Sequence, residues 1–147
     1  MGKTKRNIGL LILVLLIAVI AVGSYLYNKE GPDVANASAA KISAIELYEL
    51  FVKDSATAKK TYLQKIISVS GEVTGVSTNQ QHQSIILLKT PADGASVNCT
   101  MEGPSANIQK GDKVWVKGIC NGLGQGDADM GIAPDVYLTR CYLVNDQ

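Results

Sequence analysis

Residues 67–73, Ile67-Ser-Val-Ser-Gly-Glu-Val73, place Ile67, Val69, Gly71 and Val73 on one side of an extended chain and Ser68, Ser70 and Glu72 on the other. A period of two marks a half-buried strand. A glycine among the inward positions marks a bulge or bend. Downstream, Ser84–Lys89 (SIILLK) reads as a second strand, and Val97, Cys99 and Met101 share one face of a third. In the fourth, Val114, Val116, Gly118 and Cys120 face one way, which turns Trp115 and Lys117 outward. Asp135–Val144 supplies the fifth. The connections are a polar turn at 77–83, the turn Thr90-Pro-Ala-Asp-Gly94, a short helical or turn segment at 105–109 and a glycine-rich loop at 121–134.

Upstream the period is helical. Ser43 with Glu46 three residues later forms a capping box, and Ile45, Tyr48, Leu50, Phe51 and Val52 follow at loosely helical spacing, predicting a helix over about residues 44–53. Asp54 or Ser55 caps a second helical segment through Lys60. One capping helix region followed by five short strands, with a small connection between third and fourth, is the layout of the OB-fold, a five-stranded Greek-key barrel. An open sandwich ordinarily takes about seven strands. The expected fold is therefore mainly β: an OB-fold barrel capped by an N-terminal helix.

The first thirty residues determine the address. Ile8–Tyr27 carries no charge and is almost wholly apolar. Twenty residues at about 1.5 Å each span about 30 Å, the hydrocarbon thickness of a bilayer. Lys3, Lys5 and Arg6 precede it, so the positive-inside rule holds the N-terminus in the cytoplasm and puts the rest outside. This predicts a transmembrane anchor over 1–28, a linker over 29–40 and an extracytoplasmic domain over 41–147, single-pass in the cell inner membrane. The alternative is a signal segment cleaved near Gly23, which leaves a secreted or periplasmic protein. Lipid anchoring at the end of the apolar run needs a cysteine there, and the first cysteine is Cys99.

From residue 41 onward nine Lys and one Arg stand against eleven Asp and Glu, a net charge of 10 − 11 = −1. Nucleic-acid binding draws its affinity from neutralised phosphates and ordinarily shows a basic excess. Charge therefore does not support a nucleic-acid partner. Lys59, Lys60 and Lys65 form the one local basic cluster, which a solvated helix face explains. The three cysteines, Cys99, Cys120 and Cys141, are spaced unlike any metal finger, and the chain has a single histidine. No metal and no cofactor is expected. His82 lies in a polar turn with no carboxylate near it in sequence, so no catalytic set is assembled and the protein reads as a non-enzyme. Asp127 and Asp129 lack the ligand spacing of a calcium loop and read as a polar hairpin.

The run Leu47, Phe51, Asp54, Ala58, Tyr62, Lys65, Val69-Ser-Gly71-Glu-Val73, then Val97-Asn-Cys99, Lys110-Gly-Asp112, Val116-Lys-Gly118, Cys120-Asn-Gly122 and Asp135-Val-Tyr-Leu138 with Cys141 resembles the tRNA_anti-like OB-fold family over about residues 44–144. The resemblance implies a small exported or membrane-anchored bacterial OB-fold protein, and by fold analogy alone anticodon-type nucleic-acid binding. Fold does not establish function. OB-folds that bind single strands pair a basic groove with stacking aromatics, and these strands offer only Trp115, Tyr137 and Tyr142.

Trp115 and Lys117, with loops 77–83 and 121–134, are the candidate ligand face, and an oligosaccharide, a peptide or another envelope protein the candidate partner. Packing of Trp115 under a neighbouring segment is the competing reading. In the OB strand order the fifth strand lies between third and fourth and runs parallel to the third. This favours a Cys99–Cys141 disulfide, with Cys120 as the alternative partner and a bulge near Arg140 able to change the facing.

Overall fold

The computed structural model describes residues 2–28, 31, 33–105 and 107–145, with residues 2–6 as backbone alone. The side chains of Lys3, Lys5 and Arg6, and residues Lys29, Glu30 and Pro32 of the expected linker, lie outside the described residues. The chain divides between Asp33 and Val34 into two compact units.

The first unit contains α1 (Gly2–Tyr27). Its Asn7–Tyr27 portion is 21 residues long, apolar enough to cross a membrane, and none of it is buried against protein. A helix apolar all round, with no polar stripe to meet water, matches a hydrocarbon environment.

The second unit holds β1 (Ala40–Ser43), α2 (Ala44–Lys53), α3 (Ser55–Tyr62), β2 (Ile66–Thr78), β3 (Ser84–Lys89), β4 (Ser96–Met101), β5 (Lys113–Leu123) and β6 (Val136–Val144). The capping box forms as expected: Glu46 N donates to Ser43 Oγ and Ser43 N to Glu46 Oε2, both at 3.2 Å. These contacts hold the Glu46 carboxyl below its ordinary pKa. Asp54 Oδ1 accepts from Thr57 N at 3.1 Å and starts α3. Ala44, Leu47, Tyr48 and Phe51 form the buried stripe of α2, an i, i+3, i+4, i+7 pattern.

The strands join in the order β1-β2-β3-β4-β6-β5, and β2 also pairs β5, which closes a five-stranded barrel. β4 and β6 pair in parallel and β5 and β6 antiparallel, the expected arrangement of third, fifth and fourth predicted strands. Val69, Val73, Ile86, Leu88, Val97 and Val116 are fully buried inside it.

Two differences from the sequence reading have physical causes. β2 runs on to Thr78, because backbone pairing of Ser77 and Thr78 with Ile85 and Ser84 does not require apolar side chains. The irregularity in β2 falls between Val73 and Gly75, not at Gly71. Gly71 instead lies where Ala44 and Leu88 meet: an added Cβ would sit 3.1 Å from the Cβ of each. The connection at 105–109, read as a short helical or turn segment, contains a turn and no helix among its described residues.

The expected Cys99–Cys141 disulfide is not formed; all three cysteines are buried thiols. Cys99 aligns with Leu138, and Cys141 with Met101, across a shift that coincides with Arg140 at φ 53°. The pair is thus diagonal across the seam, close enough that the Cys99 thiol, together with burial, pushes the Cys141 pKa up. Cys120 also aligns with Leu138, from the other side of β6. Two strand spacings of about 4.8 Å separate Cys120 from Cys99, beyond the roughly 7 Å reach of a disulfide.

Gly118 sits beside the same irregularity: an added Cβ would stand 2.5 Å from Cys141 Sγ and 3.0 Å from the Thr139 carbonyl oxygen. Gly118→Ala should therefore destabilise the domain by about 1–3 kcal/mol, read as a fall in denaturation midpoint. An unchanged midpoint would show that the seam yields to the methyl group.

Candidate functional site

Alternation along β5 buries Val116 and Cys120 and leaves Trp115 and Lys117 half-exposed on the outer face. The register supplies their neighbours. Trp115 stands opposite Ser70 of β2, and Ser70 opposite Ser43 of β1; Lys117 stands opposite Ser68, and Ser68 opposite Lys41; Glu72 stands opposite Lys113. The outer face of β1, β2 and β5 therefore sets Ser43, Ser70 and several charges around one indole, with Ser68 buried between Lys41 and Lys117. Lys41 Nζ lies 5.3 Å from the Trp115 ring centroid, within cation–π range.

The two predicted site residues have different surroundings. Lys117 Nζ donates to the carbonyl oxygens of Ala35 at 3.1 Å and Ala37 at 2.9 Å. It fastens the segment entering the domain, whose Val34 is fully buried. Residues 34–40, which read as linker by composition, belong to the compact unit that begins at Val34. The one sequence signal was Ala40-Lys-Ile-Ser43, four residues too short to read as a strand.

Trp115, by contrast, lines a surface groove of about 530 Å³ with Ser43, Ala44, Ile45, Ser70, Gly71, Glu72, Lys89, Lys113 and Val114. Its origin is topological. β1 reaches only to the Ser43–Ser70 pair, and β3 first meets the same edge of β2 at the Leu88–Val73 pair. Gly71 and Glu72 lie in the gap between them. On the inner side Ala44 and Leu88 close over Gly71; on the outer side the gap stays open and forms the groove floor. Lys89 lies one residue beyond Leu88, so Lys89, Glu72 and Lys113 form a row across β3, β2 and β5 with the carboxylate in the middle. The ion pairs described, Lys53–Glu49 and Arg140–Glu102, lie elsewhere.

The two loops proposed with Trp115 do not reach this groove. The 79–83 turn is folded on itself, with Asn79 Oδ1 accepting from Gln81 N and Gln83 N at 3.0 and 2.9 Å, and His82 at φ 61°. In the other, Asp127 Oδ1 accepts from Asp129 N and Met130 N at 3.0 and 3.1 Å, and Asp127 and Ile132 exchange backbone hydrogen bonds at 2.8 Å. Among the described residues no group of three His, Cys, Asp or Glu is placed to hold a metal.

The tRNA_anti-like family profile matches residues 1–129. The chain belongs to that family. The match takes in the apolar N-terminal segment and stops before β6. No curated protein matches the chain. Among solved structures, one similar chain is from Leishmania major Friedlin and is provisionally described as an aspartyl-tRNA synthetase, at 11% identity and a TM-score of 0.43. The alignment covers 87% of this chain and 26% of that one. The OB-fold itself rests on the strand pairings above.

Two outcomes follow from the geometry. Lys117→Ala should raise amide exchange of residues 34–40 by roughly tenfold, as hydrogen bonds from a charged donor worth about 1.5 kcal/mol are lost; unchanged exchange would mean that the segment is held without Lys117. Thiol titration of the native chain should be slow, because Cys99, Cys120 and Cys141 are buried and burial pushes the Cys120 thiol up. Denaturation should release all three.

Proposed function

We propose that this protein is a non-enzymatic binding module of the bacterial envelope, held in the inner membrane by α1 with its N-terminus in the cytoplasm and its OB-fold domain outside, and that its ligand occupies the Trp115 groove. The observation that carries this reading is the groove itself. A half-exposed indole, two lysines and a carboxylate that serve no described ion pair converge at a gap in the strand pairing. Polar groups converging beside an aromatic wall in a cleft are placed to meet a ligand. The flanking charges Lys3, Lys5 and Arg6 support the orientation.

Single-stranded nucleic acid, which the family name suggests, is less well supported. Glu72 lines the groove with Lys89 and Lys113 and offsets part of the positive charge that would hold a phosphate. Lys117 and Lys65 are engaged with backbone carbonyls of Ala35, Ala37 and Lys60.

Trp115 is the only tryptophan in the chain, so its fluorescence reports on the groove alone. In the full chain held in detergent, acrylamide should quench it readily; a shielded indole would end the claim that the groove is open. Exogenous protease added to intact spheroplasts should degrade the domain and leave a membrane-embedded N-terminal fragment. A protected domain would reverse the orientation, and a freely released domain starting near Ser24 would replace the anchor by a cleaved signal.

A further inference from the structure

The groove's donor and acceptor pattern names a ligand class. Across its floor, Lys89 and Lys113 can only donate hydrogen bonds, Glu72 between them can only accept, and the Ser70 hydroxyl does both. Trp115 supplies an apolar wall directly beside Ser70. Interleaved donors and acceptors along one side of a ring-sized flat surface match a molecule whose hydroxyls alternate both roles around an apolar ring face.

We infer that the groove binds a carbohydrate chain, with one pyranose ring against Trp115 and its hydroxyls hydrogen-bonded to Glu72, Ser70, Lys89 and Lys113. This rests on the reading of the groove as the binding site and adds its ligand chemistry. Three alternatives fit less well. A polyanion gains from Lys89 and Lys113 but meets Glu72 between them, and leaves that acceptor without a donor. A purely apolar peptide side chain would strip water from three charged groups without replacing their hydrogen bonds, at a cost of several kcal/mol. A metal would find a single carboxylate flanked by two ammonium groups. A saccharide meets none of these penalties, and about 530 Å³ lies within the roughly 300–1,000 Å³ of ordinary ligand clefts. Lys41, over the indole at 5.3 Å, holds the ring in place on the side of β1 while the ring still lines the groove.

The experiment uses the full chain in a detergent without a sugar headgroup and follows Trp115 fluorescence. The probes are a neutral N-acetylglucosamine oligomer, a galacturonate oligomer and oligothymidylate, each at about 0.05 and 0.5 M salt. The expected result is a saturable change with the neutral oligomer that is insensitive to salt. Glu72→Gln and Lys113→Ala should each weaken it by roughly tenfold while leaving the thermal midpoint unchanged, since both side chains lie outside the core.

A response confined to the galacturonate oligomer, lost at high salt, would overturn the role given to Glu72 as the central acceptor, and with it the proposal. A salt-steep response to oligothymidylate with both saccharides silent would overturn the carbohydrate while leaving the groove as the site. Silence to every probe with the indole open to acrylamide would also overturn the carbohydrate. Silence with the indole shielded would remove the groove and its ligand together.

Discussion

The OB-fold domain depends on one strand pairing along both of its edges. β2 gives Ile66–Glu72 to β5 on one side, and on the other gives Ile67–Ser70 to β1 and Val73–Thr78 to β3. A straight strand cannot close a small barrel, because strands must tilt and change register as they go round. The register shift between Val73 and Gly75 supplies that change on β2. The shifts around Arg140 on β6 supply it on the opposite side, where the parallel β4–β6 seam closes the ring. Gly118 and Gly71 stand where backbone and side chains come too close for a Cβ without adjustment.

The groove follows from the same constraint. β2 exchanges one edge partner for another, and for two residues neither partner is present. Filling the gap on the inside with Ala44 and Leu88 completes the core and lets α2 begin directly at the barrel wall. On the outside the gap is left to Glu72 and its neighbours. A binding site placed where strand order changes needs no added loop, and its walls move only if the barrel does. That accounts for the contrast with loops 79–83 and 124–135, where Asn79 and Asp127 hydrogen-bond within their own turns.

Much of this architecture was legible because periodicity is a local signal. The 67–73 alternation, the Ser43–Glu46 capping box and the glycine–proline breaks gave helix, strand and turn assignments in the right order, and order alone pointed to the OB barrel. Outward placement of Trp115 followed from the same alternation. What sequence could not give was register. A shift at Arg140 set Cys141 diagonal to Cys99 and brought Cys120 into line with Leu138, a row in which composition could not place it. Lys89, Glu72 and Lys113 are scattered over 41 residues, each unremarkable alone, and they form one row only after three strands pair. Any carboxylate or lysine at an exposed strand position looks solvated until the neighbouring strand is known.

Lys117 shows how far such a misreading extends. On an alternating face an outward lysine next to a tryptophan reads as part of a ligand surface. Its partners, the carbonyls of Ala35 and Ala37, lie 82 and 80 residues away in a stretch whose Ala, Asn and Ser content reads as linker. One buried valine, one lysine and four strand residues help to order the segment, and none of them leaves a periodic trace. Its consequence reaches the groove: β1 supplies both Lys41, which steadies the indole, and Ser43, where the open edge of β2 begins. A domain cut at residue 41 would lack Val34 and the carbonyls that Lys117 engages. It would offer that lysine and a loosened Trp115 to any anion in solution. Binding by such a fragment would report the exposed lysine, whereas binding by the full chain reports the groove.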